Sequence, residues 1–225
     1  MGNSKQQGPS GVTSASPCPD SGTNCRQTSY APGIVDALNL LRGVFARAFA
    51  RWDCATKYSA SSLSLSAKGV GILKQVEELR LKPYDDQTHN EINAWTKGAT
   101  IGYGHLILKN EWSTYNTGIS EPDACKLFDR DLAPFVKAVR DQVSAKVNQN
   151  EFDALVLLTF NIGAQAFSES SVRRLVNDPT AKTNYTNLEA AWKAWNKSQG
   201  KVMKGLDNRR NSEWNIFSKG VYEGW

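Results

Sequence analysis

The sequence predicts an α+β fold, mainly α, in which a small β-bearing lobe joins a larger helical lobe. Three observations support this prediction. From Ser66 onward most segments repeat apolar residues at helical spacing. Only residues 84–108 interleave Gly and Thr with Ile and aromatic residues, as strands and tight turns do. With 225 residues, 40% of them hydrophobic, the chain can form one domain of ordinary size plus an appendage.

The first 58 residues are expected to form an N-terminal extension. Residues 1–32 are rich in Gly, Ser, Pro and Gln, a composition that predicts a disordered tail. Residues 33–52 carry apolar residues at helical spacing with arginines off the apolar face, which predicts an amphipathic helix. That helix either packs on the following domain or lies on a membrane surface during export. The serine-rich residues 59–65 are expected to be a linker to a domain spanning residues 66–225.

The elements of that domain follow in order from Ser66, which is a good N-cap for a helix over 67–79. Strands are expected within 84–108. Ser120 caps a long helix that Pro134 should kink or restart. The segment 150–163 is apolar nearly all round, which is typical of a central helix in a bundle. Helical spacing recurs near 187–197 and 205–218.

The bulk composition excludes several classes of protein. The sequence has no run of about 18 apolar residues, so no transmembrane helix is expected. The N-terminus lacks the apolar segment of a secretory signal. The net charge of +5 favours an anionic partner, but no nucleic-acid-binding motif is present, so no nucleic-acid partner is expected. The four cysteines fit no zinc pattern, and neither metal nor cofactor is expected. Cys18 and Cys25 bracket a turn-like loop, and the sequence leaves open whether they or another pair form a disulfide.

Two carboxylates at the end of the first helix point to a chemistry. At about 100° per residue, Glu77 lies about 95° from the centre of the apolar face of this helix and Glu78 about 165° from it. Glu77 should therefore be partly buried at the negative end of the helix dipole, which raises a carboxyl pKa. Asp86 follows nine residues later on a different segment and can face Glu77 across a cleft. Such a pair suits glycoside hydrolysis.

The surrounding residues strengthen this interpretation. Glu77-x-x-Arg80-Leu81-x-x-Tyr84-x-Asp86, followed by "TIGYGH" at 100–105, resembles the phage-type (T4-like) lysozymes of glycoside hydrolase family 24. The resemblance continues through "ISEPDACKLFDRDL", "DALVLLTFNIGAQAFSESSVRRLVN" and "GLDNRRNSEWNIF" and covers about residues 66–220. It implies a lysozyme-like fold with the active-site cleft between the β-hairpin lobe and the helical lobe.

The resemblance also assigns roles, residue by residue. Glu77 matches the catalytic acid, Asp86 the second carboxylate and Thr100 the hydroxyl that positions water. These roles imply a muramidase that cleaves the β-1,4 bond between N-acetylmuramic acid and N-acetylglucosamine in peptidoglycan, with inversion. The protein is expected to be a monomer. No catalytic histidine is implied, so His105 is expected to be structural.

Two departures from the family pattern concern the cleft. The position after the acid is commonly Gly in the family and is Glu78 here. The 13 residues between Asp86 and Thr100 make a longer hairpin than the family's. This insertion, 87–99, either adds a sugar-contacting surface through Trp95 or is a longer solvent turn. Four residues are predicted to bind substrate: Trp95, Asn161, Arg209 and Arg210. One of the two arginines is expected to pair with Glu213 or another acid, and the other to face substrate.

The biological role has alternatives. The extension before the catalytic helix favours an antibacterial effector or toxin domain, exported from the cytoplasm without a visible signal peptide to act on peptidoglycan in the periplasm or cell wall. Residues 1–58 would then engage a secretion machine, and an immunity protein could exist. A phage endolysin for host lysis is the second hypothesis. A catalytically dead wall-binding protein is the third and belongs to another functional class.

Overall fold

The computed structural model of the chain describes residues 56–225. The predicted disordered tail, the helix 33–52 and the Cys18–Cys25 pair lie outside the described residues. Cys125 is disulfide-bonded.

Three small antiparallel sheets occur in the part of the chain that the structure describes. Strand β1 (Tyr58–Ser59) pairs with β5 (Lys146–Val147), and β6 (Lys197–Ser198) pairs with β7 (Lys201–Val202). The third sheet has the order β2 (Arg80–Asp85), β3 (Ala99–Gly102), β4 (His105–Leu106). Its register sets Tyr84 opposite Thr100 and Thr100 opposite Leu106. This sheet is the core of the small lobe.

Helices make up most of the remaining described structure. In chain order they are α1 (Ala67–Glu77), α2 (Trp112–Tyr115), α3 (Glu121–Gln142), α4 (Gln149–Ile162), α5 (Ala164–Glu169), α6 (Ser171–Asn177), α7 (Leu188–Lys193) and α8 (Lys204–Lys219). The predicted fold class, α+β and mainly α, is confirmed. The predicted stretches 187–197 and 205–218 correspond to α7 and α8, the former ending four residues early.

Helix α4 is the centre of the helical lobe. It begins at a capping box, in which Asn148 accepts from the backbone of Glu151 and the Glu151 side chain accepts from Asn148. It packs most extensively against α8 and then against α3. Phe152, Leu155 and Leu158 are fully buried. Each such side chain contributes about 1.5–3 kcal/mol of burial free energy, so α4 anchors the elements that carry the site.

The predicted linker 59–65 is part of the helical lobe. Ala60 is fully buried and Leu65 nearly so. Arg140 on α3 donates to the carbonyl oxygen of Leu63, and Gln149 on α4 donates to that of Ser64. The serines in this segment suggested a solvated chain, but the small and apolar residues between them fill the gap between α3 and α4.

Pro134 lies inside α3 without ending it, so the predicted restart of the helix is wrong. Proline has no amide N–H, and the carbonyl of Arg130 loses its intrahelical partner. Both Pro134 and Arg130 are exposed, which lets water take that place.

Helix α1 ends at Glu77, two residues before the predicted end. Glu78 follows with φ 49° and ψ 128°, a backbone conformation that side chains with a Cβ rarely adopt. The Glu78 side chain is 76% exposed, as predicted. Nothing in its contacts offsets the strain apart from an Arg80 guanidinium 3.8 Å away.

We expect Glu78→Gly to stabilise the protein. Residues held in such regions cost roughly 1–3 kcal/mol, which glycine avoids. Glycine loses about 0.5–1 kcal/mol through its larger freedom in the unfolded chain. The net gain of about 1 kcal/mol should raise the melting temperature by about 2–4 °C in a domain of this size. Thermal unfolding followed by circular dichroism measures it.

Glu78→Ala is the matched control, because it removes the same carboxylate but keeps a Cβ. It should leave the melting temperature within about 1 °C of the parent, since exposed substitutions usually have small effects. Equal stabilisation by both variants would show that the lost charge, and not the relieved backbone, is responsible.

Candidate active site

Glu77 is the last residue of a helix whose start is firmly fixed. The Ser66 side chain accepts from the backbone of Gly69, and the backbone N–H of Ser66 donates to the buried Asp153 at 3.0 Å. Asp153 also accepts from Gln149 and from the Tyr222 hydroxyl. A helix held at its first turn places its last residue with little freedom.

The Glu77 carboxyl is partly enclosed, with 25% of its side chain exposed. Burial raises its pKa, and the nearby positive charge of Arg209 opposes that rise. The Arg209 Nη1 atom lies 3.7 Å from Glu77 Oε1. Gly104, in the turn after β3, comes close on the other side, where a Cβ would stand 3.4 Å from Glu77 Oε2. The raised pKa and the partial burial are both as predicted from the helix face.

Asp86 and its neighbour Asp85 differ in what they contact. Asp85 accepts from the backbones of Gln87 and Thr88 and from the Thr96 hydroxyl, and these hydrogen bonds lower its pKa. Asp85 therefore holds the turn after β2. Asp86 is exposed, and its side chain accepts only from Gln87 among the hydrogen bonds of the described residues. The geometry leaves Asp86, and not Asp85, available for a reaction.

Thr100 reaches Asp86 through Gly98. The backbone N–H of Asp86 donates to the Gly98 carbonyl at 3.1 Å, and the Thr100 hydroxyl donates to the same oxygen at 3.0 Å. Gly98 has φ 103°, and a Cβ there would stand 2.2 Å from Asp86 Oδ1. Only glycine permits this approach. The inserted residues 87–99 fold back along β2, through bonds such as Asp85 N–H to the Asn90 carbonyl, and leave this pairing intact.

Tyr84 connects the two sides of the site. It lies opposite Thr100 in the sheet and is buried. Burial raises its pKa, the positive charge of Arg80 opposes that rise, and the negative charges of Glu77 and Asp86 add to it. Both carboxyls thus lie within electrostatic range of one ring. Asp86 and Thr100 are joined on the β2–β3 hairpin through the Gly98 carbonyl, and Glu77 ends the helix that leads directly into β2.

Behind Glu77 lies a buried group of Arg209, Arg210 and Glu213, here called the arginine cluster. Glu213 is fully buried and accepts from Arg209 Nε at 3.1 Å and from Arg210 Nη2 at 2.9 Å. Its second oxygen accepts from the Trp192 indole N–H. Burial raises the pKa of Glu213, and the positive charges of Arg210 and Arg209 oppose that rise. Burial lowers the pKa of Arg210 to about 10. Arg210 therefore remains charged at neutral pH.

The residues predicted to bind substrate differ in how exposed they are and in what they contact. Arg210 has 1% of its side chain exposed and donates to the exposed Asn161 at 2.8 Å. This geometry favours a supporting role for Arg210 over the predicted substrate contact. Arg209 touches Glu77, so it belongs to the acid's environment. Asn161 is exposed, and its contact with a sugar stays a prediction.

Trp95 is half-buried in the small lobe. Its ring packs against the cluster formed by Ala99, Ile101, Ile107 and Leu127. Its indole N–H donates to the Ile107 carbonyl at 2.9 Å. The ring therefore stabilises the longer hairpin, and its substrate contact stays a prediction.

His105 is fixed in the small lobe, as expected for a structural histidine. Its Nδ1 lies 2.7 Å from Asp131 on α3, and its ring contacts Tyr115 edge to face. The side chain is 10% exposed. This pair connects the β2–β3–β4 sheet to the helical lobe.

Other features of the described residues lie away from Glu77. A cavity of about 660 Å³ lies between β2 and the segment 114–123, and none of the three predicted catalytic residues lines it. Residues 56–225 contain no group of three or more His, Cys, Asp or Glu side chains arranged to hold a metal ion. No helix within this range is long and apolar enough to span a membrane.

Comparison with known proteins places this geometry in a family. A profile of the phage lysozyme family matches residues 74–213, which include all three predicted catalytic residues. The chain belongs to the phage lysozyme family. The endolysin of Bacillus phage PZA is 35% identical over 160 residues, 71% of this chain. The match spans 57% of that endolysin, so the chain covers little more than half of that relative.

Two solved structures share the fold of this phage lysozyme family member. The endolysin of Escherichia coli O157:H7 phage FAHEc1 superposes with a TM-score of 0.59 at 31% identity, over 72% of this chain and 98% of the other. The muramidase domain of SpmX from Asticaccaulis excentricus gives 0.54 at 32% identity, over 69% and 98%. Both solved chains are nearly fully covered, and about 70% of this chain takes part in each superposition.

Three site features of this phage lysozyme family member were not predicted from the sequence. They are the contact between Arg209 and Glu77, the approach of Gly98 to Asp86, and the effect of both carboxyls on the buried Tyr84. The glycine left a signal, because "KGAT" places a residue that tolerates positive φ two positions before Thr100. The contact between Arg209 and Glu77 depends on packing between α8 and α1, which lie far apart in the chain. Tyr84 lies between Glu77 and Asp86 in the chain, but its burial depends on the completed fold.

Proposed function

We propose that the chain is a peptidoglycan muramidase of glycoside hydrolase family 24, which cleaves the β-1,4 bond from N-acetylmuramic acid to N-acetylglucosamine. The observation that carries this proposal is that the enclosed Glu77 carboxyl, with its raised pKa, ends the helix leading into the hairpin that carries the exposed Asp86 and the Thr100 hydroxyl. Membership of the phage lysozyme family and the similarity to a muramidase domain support it.

Glu77 acts as the general acid. It ends α1 at the cleft, and burial raises its pKa, which favours the protonated form that can give a proton to the glycosidic oxygen. Protonation of that oxygen allows the bond to the anomeric carbon of N-acetylmuramic acid to break as positive charge develops on the sugar. Arg209 then faces the carboxylate that is left and stabilises it.

Asp86 and Thr100 hold the attacking water. The Thr100 hydroxyl donates its hydrogen to the Gly98 carbonyl, so its oxygen can only accept from water. A water that donates one hydrogen to Thr100 and the other to Asp86 directs its free lone pair outward, toward the sugar. Asp86 takes the proton as the water attacks, which is general base catalysis.

We expect the first product of this reaction to be the α-anomer. A water held by Asp86 attacks the face opposite the leaving oxygen, and inverting enzymes of this kind separate their carboxyls by roughly 6.5–9.5 Å. Proton NMR of fresh product from a soluble glycan fragment measures the anomer. A retaining lysozyme in the same buffer is the control and should give the β-anomer first.

A β-anomer from this chain would contradict the water-holding roles. Asp86 would then attack the sugar directly, as the second carboxylate does in retaining enzymes. Glu77 would keep its role as the acid.

For the biological role, the proposal is an antibacterial effector or toxin domain that acts on peptidoglycan in the periplasm or wall of a target cell. Two observations favour this role. Residues 1–73 precede the region matched by the family, and the net charge of +5 suits an anionic wall. A phage endolysin is the alternative, and the names of the relatives favour it.

A competition assay distinguishes these roles. Producer cells carrying the full chain, or the chain from Thr56 onward, are mixed with a sensitive strain. An effector should kill neighbours only with residues 1–55 present, and an immunity protein in the target should prevent killing. An endolysin should kill no neighbour in either form and should lyse its own host only when it is released to the wall.

A further inference from the structure

The last six residues of the chain, 220–225, run back across the helical lobe toward the site. We call them the return segment. Tyr222 donates its hydroxyl hydrogen to the buried Asp153 at 2.6 Å, and Ser212 on α8 donates to the Glu223 carbonyl. Gly224 lies against Gln75 on α1, where a Cβ would stand 3.3 Å from the amide. These anchors place Trp225 beside the end of α1.

The Trp225 ring lies on Arg209. The guanidinium carbon of Arg209 is 4.8 Å from the centre of the ring, within the range of a cation–π contact. Arg209 has 8% of its side chain exposed. Its Nε atom donates to Glu213, its Nη1 faces Glu77, and its Nη2 has no hydrogen-bond partner among the described residues. The indole thus covers a guanidinium that hydrogen bonds hold at only one nitrogen.

The charges of this region do not balance while Glu77 is protonated. The arginine cluster contains two guanidinium groups and one carboxylate, so one positive charge remains to face Glu77. Burial raises the pKa of Glu77, and this charge limits the rise. The effect of the charge depends on the distance from Nη1 to the carboxyl, and therefore on how firmly the guanidinium is held.

We infer that Trp225 is a positioning residue for the reaction, which holds Arg209 against Glu77 and so sets the upper pH limit of activity. The inference rests on the proposed role of Glu77 as the general acid. Trp225 itself touches the arginine, and its effect on the acid passes through Arg209. A truncated ring would let the guanidinium turn toward water.

The sign of the effect follows from the two causes of the Glu77 shift. If Arg209 moves away while α1 stays packed, burial continues to raise the pKa and the opposing charge weakens. The pKa of Glu77 then rises further. Since a general acid acts only when protonated, activity extends to higher pH. Other charged or titratable groups around Glu77 are Glu78 and Arg80 after the helix, Tyr84 and Asp86 on the hairpin, and Arg210 and Glu213 behind Arg209.

The test measures kcat/KM against pH on soluble peptidoglycan fragments with the full chain. We expect Trp225→Ala and Trp225→Leu to move the alkaline midpoint upward by about 0.5–1 unit, a fraction of the roughly 1–3 units that an adjacent opposite charge moves a carboxyl. Trp225→Phe keeps an aromatic face and should retain the parent midpoint. In an Arg209→Met background, Trp225→Leu should produce no further shift. Tyr185→Ala, an exposed aromatic residue on the loop before α7, is the control.

Two results would overturn the inference. One is an alkaline midpoint that stays unchanged in both Trp225→Ala and Trp225→Leu. The other is a uniform loss of kcat/KM at every pH with a lower melting temperature, which would give Trp225 a purely structural role. Glu77→Gln in the same assay distinguishes a failure of the proposed function from a failure of the role assigned to Trp225. If it remains active the proposed function fails, whereas an inactive Glu77→Gln with unmoved midpoints refutes only the role of Trp225.

Discussion

Glu77→Gln should abolish wall lysis while leaving the fold intact. The amide has nearly the same shape but no proton to give to the glycosidic oxygen, and losing a general acid costs roughly 10²–10⁴-fold or more in rate. Its carbonyl oxygen can still face the Arg209 guanidinium, whose Nη1 lies 3.7 Å from Glu77 Oε1 in the parent. The side chain is partly exposed, so no buried group loses a partner. The clearing of a cell-wall suspension measures activity, and thermal unfolding verifies the fold.

Glu78→Gln is the matched control, since it makes the same change one residue further along. The Glu78 side chain is mostly exposed and makes no contact with Glu77, Asp86 or Thr100 among the described hydrogen bonds and ion pairs, so its variant should lyse walls at close to the parent rate. An inactive Glu78→Gln together with an active Glu77→Gln would refute the assignment of the acid. If neither parent nor variants cleared the suspension, the chain would be the wall-binding protein of the third hypothesis.

The choice of Glu77 over Glu78 came from the sequence because helical periodicity alone fixes the angle between them. The apolar face of α1 is local information, and the burial of Glu77 follows from it. The central position of α4 could be predicted for the same reason. Its apolar residues continue around the helix, and only a helix surrounded by others can bury them all.

The short helices α5 and α6 and the β6–β7 hairpin were not predicted from the sequence. Helices α5 and α6 are separated by Ser170, whose side chain accepts from Arg173 N–H and starts the second helix. That cap was visible as a serine, but helices of six and seven residues leave almost no periodicity to detect. The β6–β7 hairpin turns at Gln199 and Gly200, both with positive φ, and a Gln-Gly turn is a weaker signal than Asn-Gly.

The arginine cluster was predicted only in outline. The sequence suggested that one arginine pairs with Glu213, because residues three and four apart share a helix face. Both arginines do so. Their further contacts, Arg209 to Glu77 and Arg210 to Asn161, join α8 to α1 and α4. No local pattern encodes these contacts, since they depend on how three helices pack.

Glu213→Gln should destabilise the protein more than any surface change. Glu213 is fully buried, and its carboxylate is the negative partner that the structure gives to the guanidinium groups of Arg209 and Arg210 within the arginine cluster. Breaking a buried pair by removing one partner costs about 3–5 kcal/mol, because it leaves uncompensated charge inside. In a domain of this size that lowers the melting temperature by about 6–20 °C. Differential scanning calorimetry measures the change.

Glu189→Gln tests whether burial is the cause of that loss. Glu189 pairs with Lys193 at 2.6 Å on α7, but both side chains are over 40% exposed. Exposed pairs contribute about 0–1 kcal/mol, so this variant should melt within about 4 °C of the parent. The combined change Arg210→Met with Glu213→Leu should recover part of the lost stability, since it removes one charge of each sign. Equal losses from Glu213→Gln and Glu189→Gln would show that the arginine cluster does not hold α8 in place, and the placement of Arg209 against Glu77 would then need another support.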